Sequence, residues 1–430
     1  MNKNSHCFSF FSALVISFAL NQPAFASPVE LSLDESLAMA LKNNYDIHYV
    51  QLAREKAFWA LREEEKNKGV TLKYTHTDER YNSAPTLYSD TYTYTNSFDN
   101  KFALSVPVYS GGKLEAQIEQ AKLDLKVADL NIKATKQQLR NAVISDYFTV
   151  LQYDNEVQIN LDTVKNYQDH LKLVNEKFDL GLVAKTDVLS SQVNLAKAQD
   201  TLIKAQNNYN NAVATLNNVI GQPHGTELML KDNLSHQKFR LNLEECFQYA
   251  EINRPEIAQN QAKVSSAQYD VKVAQSGHLP TVDISAEQDW NDTHLAGTKN
   301  SNWMVKLTTS LNVFDTGLTE AKIKQAQHNI SMVSNKAAQE RDSILLDVRQ
   351  YYLSMLEAEK RIETNKMSMS QAEENLAIEK VRYDVGTGTN LDLLDAVLSF
   401  DSAKKDYIQA MYDFNTYKAK LELAMGVPVN

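Results

Sequence analysis

One stretch decides the fold because the chain contains it twice: Val106-Pro-Val-Tyr-Ser-Gly-Gly112 recurs 205 residues later as Leu311-Asn-Val-Phe-Asp-Thr-Gly317. Other segments recur in the same order. Four matches in one order indicate an internal duplication. The other pairs are Lys177-Phe-Asp-Leu-Gly181 with Arg382-Tyr-Asp-Val-Gly386, Gly221-Gln-Pro223 with Gly426-Val-Pro428, and Leu31–Ser36 with Leu241–Cys246, the last at an offset of 210.

Residues 1–26 are typical of a secretory signal peptide, with a buried N-terminal helix as the alternative. Lys3 gives a positive start, residues 8–20 are apolar, and Ala24-Phe-Ala26 is a small-x-small cleavage site. The duplication divides the remaining chain into three parts. These are a first repeat over residues 27–223, a linker over 224–240 and a second repeat over 241–430.

The composition fits a folded, exported, acidic protein and excludes several classes. Hydrophobic residues make up 43% and charged residues 23% of the 430 residues, as in globular proteins. The net charge of −10 argues against a nucleic-acid binder. Only Cys246 follows the signal, so neither a disulfide framework nor a cysteine zinc site is expected. The mean hydropathy of −0.43 argues against a helical membrane protein.

Both halves are expected to follow one plan of helices and strands. A first helix covers about 34–68 and about 244–276, and two strand-like stretches follow it. A long helix covers about 113–179 and about 318–384, and a glycine turn leads to a last helix over about 187–219 and about 391–424. No proline lies between Pro107 and Pro223 or between Pro280 and Pro428, which permits helices of this length.

Apolar residues recur at alternating steps of four and three along both long helices, which predicts coiled-coil packing. A helix of this length would span roughly 100 Å, and two shorter helices lying end to end would match it. The predicted core residues are Leu114, Ile118, Ala121, Leu125, Ala128, Ile132 and Leu139 in the first half, and Ile323, Ala326, Ile330, Val333, Ala337, Ile344, Val348, Tyr351, Met355, Ala358 and Ile362 in the second.

Alternating apolar residues predict the strands. They occur in 101–109, in 302–314 and from Val282 onward, and residues 88–95 are rich in Tyr and Thr. One apolar face and one polar face fit a transmembrane β-barrel, and an antiparallel sheet on a soluble domain is the alternative. Four strands per chain cannot close a barrel, so the membrane interpretation requires an oligomer.

No motif points to an enzyme. A phosphate loop, a nucleotide fingerprint, an HExxH motif and a CxxC pair are all absent from the sequence. Ser110 lacks the Gly-x-Ser-x-Gly frame of a nucleophile elbow. His48, His170 and His328 lie in separate predicted helices, and we interpret each as a surface residue rather than a metal ligand. We therefore expect no catalytic residues, no cofactor and no metal.

The duplicated plan, the Val-x-Val-Tyr-Ser-Gly-Gly element and the two glycine turns make the chain resemble the TolC family of outer-membrane efflux proteins. The resemblance covers essentially the whole chain after the signal. It implies a mainly α fold with β-strands, in which long coiled-coil helices form an α-helical barrel. It also implies a homotrimer whose four strands per chain close one twelve-stranded transmembrane β-barrel. The linker 224–240 would then lie at the equator of the helical part.

The resemblance also suggests site residues at the two turns. Asp392 and Asp395 match the acidic periplasmic constriction, with helix capping as the other interpretation of their position. Thr186, Asp187 and Tyr383 match a latch that holds the closed state, with ordinary turn chemistry as their alternative. The latch arginine of the family is Gly388 here, and Lys185 is a candidate substitute. The adaptor-docking positions are Gly181, Leu182, Gly386 and Thr387, and glycine C-caps serve both roles.

The function implied is a passive exit duct of a tripartite efflux or type I secretion system. It would lie in the outer membrane of a diderm bacterium and reach into the periplasm. Its expected partners are a periplasmic adaptor protein, an inner-membrane transporter and outer-membrane lipid. A trimeric coiled-coil adhesin or structural fibre is the alternative, and it would lack the duplicated strands. Nothing in the sequence distinguishes drug, metal and protein cargo.

Overall fold

The computed structural model describes residues 29–83, 93–295 and 297–429. The predicted signal peptide and most of the strand predicted at 88–95 lie outside the described residues. The elements are, in chain order, β1 Val29–Leu31, α1 Leu33–Asn43, α2 Tyr45–Lys66, β2 Thr71–Ser83, β3 Thr93–Tyr109, α3 Lys113–Asp179, α4 Lys185–Ile220, β4 Leu228–Leu230, α5 Leu243–Asn253, α6 Pro255–Gln275, β5 Thr281–Asp292, β6 Asn302–Ser310, α7 Leu318–Asp384 and α8 Asn390–Met425.

The long helices are confirmed, and they are equal in the two halves. Helices α3 and α7 each have 67 residues, and helices α4 and α8 each have 36. Both long helices begin after a glycine in the left-handed region, Gly112 at φ 82° and Gly317 at φ 88°, which a side chain would disfavour. Across the described ranges, no helix combines the length and the apolarity needed to cross a bilayer.

The prediction of one continuous first helix in each half is wrong. Asn44 separates α1 from α2 in an extended conformation, and its side chain accepts a hydrogen bond from the Asp46 amide at 2.8 Å. Arg254 separates α5 from α6 and is also extended. Pro255 explains the second break, because the residue before a proline is disfavoured in the helical region.

The sheet joins the two halves. Its order is β2-β3-β5-β6, so each half contributes one hairpin, and the central β3 and β5 pair antiparallel from Phe98 opposite Asp292 to Val106 opposite Ile284. The strand predicted over 302–314 is four residues too long, and β6 ends at Ser310. The chain turns there, since the carboxylate of Asp315 accepts the amides of Gly317 and Thr319 ahead of α7. A separate parallel pair, β1 with β4, places part of residues 224–240 beside Val29–Leu31.

Three hydrophobic clusters lie along the helices, and the predicted heptad positions contribute to them. One cluster joins α1, α3 and α4, and its second-half counterpart joins α5, α7 and α8. The third cluster combines residues of α3, α4, α7 and α8 near the turns, and therefore spans both halves. The predicted stripe members that are buried within this one chain are Ala121, Leu139, Ile323, Ile344, Val348, Met355, Ala358 and Ile362.

Polar contacts from the central part of α3 also join the two halves of the chain. Gln137 of α3 donates to the backbone carbonyl of Gly426 at 2.9 Å, and Arg140 pairs with Glu422 at 2.7 Å. Each of these contacts joins a first-half helix to the end of the second half. The third cluster then lies beyond them, where α3 and α7 end.

Candidate functional site

Two turns of nearly identical backbone lie at the ends of the long helices. Gly181 follows α3 at φ 71°, and Gly386 follows α7 at φ 81°. In the first turn the amide of Leu182 bonds to the carbonyl of Lys177, and in the second the amide of Thr387 bonds to that of Arg382, both at 2.9 Å. These are the C-terminal glycine caps expected of a helix that reverses direction.

The helix that leaves each turn starts with an acidic cap. Asp187 accepts the amide of Ala184 at 3.1 Å in the first turn. Asp392 accepts both the amide of Thr389, at 3.2 Å, and its hydroxyl, at 2.7 Å, in the second. These donors hold the pKa of Asp392 below its ordinary value, because they stabilise the charged carboxylate. Capping is therefore realised at both turns.

The structure places both residues of the predicted constriction on the solvent side of α8. Asp392 and Asp395 are exposed, whereas the adjoining Leu393 and Leu394 are buried in the third cluster. Residues three apart share one helix face. The two carboxylates thus form an acidic pair on the solvent side of α8. Asp392 remains exposed to solvent while its carboxylate caps the helix.

The predicted latch residues are only partly brought together. Tyr383 is buried, at 3% exposed, while Thr186 is exposed. Burial chiefly raises the pKa of Tyr383, and the nearby charge of Asp187 adds to the effect. Among the residues that the structure describes, the Tyr383 hydroxyl has no hydrogen-bond partner. Asp187 and Tyr383 therefore interact through charge within one chain rather than through a hydrogen bond.

Two α3 residues that were not predicted as site residues, Lys177 and His170, contact the second turn from the first half of the chain. Lys177 donates to the carbonyl of Tyr383 at 2.7 Å, and its ammonium lies 4.0 Å from the centre of the Tyr383 ring. His170 bonds through Nε2 to Oδ1 of Asn390 at 2.5 Å, and its ring centre lies 5.1 Å from that of Tyr383. The heptad spacing of His170 and Lys177 was the available signal, since residues seven apart share one face.

The interpretation of His170 as a surface residue is wrong. It is 8% exposed, and although it belongs to α3 in the first half, it contacts Tyr383 and Asn390 of the second half. Burial lowers its pKa below the ordinary histidine value, since desolvation disfavours the charged form. Lys185, the suggested substitute for the missing arginine, instead lies 5.3 Å from the Phe178 ring in its own turn.

The glycines of the turns differ in the room around them. A Cβ added at Gly181 or Gly386 would meet nothing within 4 Å, so the predicted docking positions are open. A Cβ at Gly388 would lie 3.1 Å from the Cβ of Arg382 and from the amide nitrogen of Tyr383. The second turn therefore packs closely against its own helix at Gly388, which explains locally why a small residue stands there.

The predicted docking positions of the first turn carry exposed apolar side chains. Leu182 is 69% exposed and its neighbour Leu180 is 74% exposed. Thr387, the equivalent of Leu182, is exposed and turns its hydroxyl to the carbonyl of Arg382 at 3.2 Å. Within the described residues, no group of three or more His, Cys, Asp or Glu side chains is placed to hold a metal ion.

The fold and the turns define a class of protein: a duplicated chain with paired coiled-coil helices, a four-stranded sheet at one end and a packed double turn at the other. The chain belongs to the outer membrane efflux protein family, whose sequence profile matches residues 37–222 and 247–427. Those two segments coincide closely with the two copies of the duplication.

Individual relatives agree with this assignment. The chain is 24% identical to outer membrane protein TolC of Escherichia coli over 361 residues, which cover 78% of this chain and 73% of that protein. It is 24% identical over 313 residues to the alkaline protease secretion protein AprF of Pseudomonas aeruginosa, covering 70% and 64%. The Campylobacter jejuni CmeC outer membrane channel shares its fold, with a TM-score of 0.79 at 18% identity over 92% of this chain and 85% of that one.

Proposed function

We propose that the protein is the passive outer-membrane exit duct of a tripartite efflux or type I secretion system. The observation that carries this proposal is the equal pair of 67-residue helices, α3 and α7. At 1.5 Å per residue each is about 100 Å long. Helices of that length, joined at one end to a sheet and closed at the other by packed turns, suit a tube that crosses a periplasm.

A homotrimer would complete the sheet. Strands β2 and β6 are the edges of the four-stranded sheet within one chain. Open edges are not tolerated in lipid, so three chains would close one twelve-stranded barrel. Support comes from β6, whose alternate residues Trp303, Val305 and Leu307 are all more than 60% exposed in the single chain. Such a face suits outer-membrane lipid and is not needed in a coiled-coil adhesin or fibre.

The periplasmic end would close at the second-half turn. Three copies of Asp392 and Asp395 near the axis would form an acidic constriction that attracts cations. Thr186, Asp187 and Tyr383 would contribute to the closed state where neighbouring turns meet in the trimer. The residues 27–223 and 241–430 would act as the two repeats, with 224–240 as an equatorial linker whose β4 pairs with β1.

The partners would be a periplasmic adaptor and an inner-membrane transporter, which supplies the energy. Gly181, Leu182, Gly386 and Thr387 would form the adaptor-docking surface, because they are exposed at the extreme ends of the helices. The duct itself would carry out no chemistry and need no cofactor. Relatives named for protease secretion and for efflux are both similar to this chain, so the transporter would select the cargo.

Conductance in a planar lipid bilayer tests this function. The purified trimer should give small, cation-selective current steps when inserted from one side. A chain with residues 93–109 replaced by a Gly/Ser segment removes β3 and should give no steps, which serves as a negative control for insertion. Absence of conductance from a verified membrane-inserted trimer would favour the adhesin or fibre.

A further inference from the structure

We propose that His170 ties the second-half turn to α3 in the closed duct and releases it on gaining a proton, so that the closed state weakens as periplasmic pH falls. Lys177 is the second, pH-independent part of the same tie. The inference rests on the proposed duct function, and it adds a control that neither the acidic pair nor the predicted latch provides.

The tie acts on both ends of the turn. Lys177 reaches the carbonyl of Tyr383, which belongs to the last turn of α7. His170 reaches the side chain of Asn390, the first residue of α8. The residues between these two anchors form the second-half turn, and the acidic pair follows directly after them. One face of α3 thereby fixes where the constriction stands.

The buried surroundings of His170 favour a neutral imidazole, although the hydrogen bond from Nε2 to Asn390 can form in either protonation state. Nε2 of His170 must donate to the amide oxygen of Asn390, because that oxygen can only accept. In the neutral ring Nδ1 is then a bare acceptor, and among the described residues no hydrogen-bond partner reaches it. Protonation would place an N–H there without an acceptor, inside the protein, which costs free energy. The site is therefore complete for the neutral ring and incomplete for the cation.

Charges around His170 reinforce this preference on balance. The positive end of the α8 dipole begins at Asn390, and Lys177 lies one heptad away, so both oppose a second cation. The hydrogen bond to Asn390 and the charge of Asp384 act in the opposite direction by favouring the cation, and burial outweighs both, so the pKa of His170 is lowered. The titratable groups that face this region are Tyr167, Asp169 and Lys177 on α3, Asp187 on α4, Lys380, Tyr383 and Asp384 on α7, and Asp395 on α8.

The sign of the pH effect follows from linkage. The pKa of His170 in the closed state is lowered, while an opened turn would expose the ring and return it towards its ordinary value. Above that ordinary value both states are neutral, and the tie is fully formed. As the pH falls below it, the open state binds the proton more tightly, so closure weakens until the closed-state pKa is also passed.

Bilayer conductance at two periplasmic pH values tests the tie. An ordinary histidine gains its charge as the pH falls from about 7.5 to about 5.5. Over this fall in pH, the closed-state conductance of the wild-type trimer should increase several-fold. His170→Gln keeps a donor for Asn390 but cannot titrate, and should lose the rise. Asn390→Ala should raise conductance already at the higher pH. His48→Gln, on the exposed face of α2, is the matched control and should respond like the wild type.

The outcomes separate this proposal from the proposed function. An equal rise in the wild type and in His170→Gln, or no rise in the wild type, would overturn the tie while leaving the duct intact. A rise that vanishes in Asp392→Asn/Asp395→Asn but persists in His170→Gln would assign it to the carboxylates instead. If no variant conducts at all, the duct function fails.

Hydrogen exchange tests the tie without any conductance. After correction for intrinsic rates, the peptide covering 381–392 in the detergent-solubilised trimer should exchange faster at the lower pH in the wild type. It should exchange equally at both pH values in His170→Gln. Equal acceleration in the two proteins would contradict the tie.

Discussion

The two turns at the helix ends have nearly the same backbone conformation, but the side chains of the second turn are more buried than those of the first. Phe178 and Tyr383 occupy equivalent positions in the duplication, yet Phe178 is 36% exposed and Tyr383 is 3% exposed. Lys177 reaches across to Tyr383, while its counterpart Arg382 pairs with Glu379 on its own helix at 2.6 Å. The repeat has preserved the turn and its caps, and the side chains around the turn have diverged.

This difference suits the two turns to two different roles. The second-half turn is held by α3 and carries the acidic pair, and Asp395 corresponds to Ser190 in the first half. The first-half turn projects Leu180 and Leu182 outward, and its backbone cap bonds are made to its own helix. One turn is therefore suited to set the constriction and the other to meet a partner.

The largest effect should come from removing the acidic pair, because the first turn has only one of the two equivalent carboxylates, Asp187. Asp392→Ala with Asp395→Ala should weaken block by a trivalent cation by about two orders of magnitude, since rings of carboxylates set cation affinity in a pore. Block is measured as the concentration that halves the bilayer current. Asp179→Ala, an exposed carboxylate at the end of α3, should leave block unchanged. Equal block in the double variant would remove the acidic pair from the conduction path.

Truncating the equivalent aromatic residues should sharpen the contrast between a buried and an exposed ring. Tyr383→Ala should cost about 3 kcal/mol, as expected for a fully buried ring, whereas Phe178→Ala should cost under about 0.5 kcal/mol as a surface change. Thermal unfolding of the helices, followed by circular dichroism, gives both values. Tyr383→Phe retains the ring and lacks only a hydroxyl that has no hydrogen-bond partner among the described residues, so it should resemble the wild type. Equal losses in the two alanine variants would mean that the second turn is not anchored.

The lysines next to the turns offer the third test. Lys177→Ala removes a cation from a carbonyl and a ring, together worth about 1–2 kcal/mol, and should raise closed-state conductance several-fold. Lys185→Ala removes only a contact with Phe178 and should leave conductance near that of the wild type. The pair is compared at neutral pH, where His170 is uncharged. A larger effect from Lys185 would restore it as the substitute for the missing arginine.

The glycines should show equal strain with unequal consequences. Gly181→Ala and Gly386→Ala each force a side chain into the left-handed region, at about 1 kcal/mol, and a Cβ has free space at both positions. Conductance should change at Gly386 alone. Adaptor affinity, measured by pull-down, should fall at both positions, because both glycines belong to the proposed docking surface. Conductance changes of equal size at both positions would contradict the different roles of the two turns.

Much of this architecture could be predicted from sequence because it repeats. The glycines and the proline-free intervals predicted the long helices to within two residues at each end, and the heptads located part of the core, chiefly in α7. The break at Asn44 has no proline to mark it, whereas Pro255 does mark the break after Arg254. The end of β6 depends on the cap that Asp315 provides, which alternation of apolar residues cannot show.

The residues of the candidate site were harder to predict from the sequence than the helices were. Asp392, Asp395 and the glycines stand out in the turn motifs. The contact between His170 and Asn390 joins residues 220 positions apart, and no local period connects them. A lone histidine on a helix is usually a surface residue, so only the packing of the two halves reveals its burial.

A reversible cross-link tests the central claim most directly, namely that the duct is closed by holding the second-half turn against α3. The variant His170→Cys/Asn390→Cys removes the tie and supplies two thiols for a short cleavable reagent. The native Cys246 is buried, and burial raises the pKa of its thiol to about 11, so it should react slowly. Before cross-linking the trimer should conduct more than the wild type, after cross-linking it should fall to the closed level, and reduction should restore the current. A cross-linked trimer that conducts as well as the reduced one would show that the duct closes elsewhere.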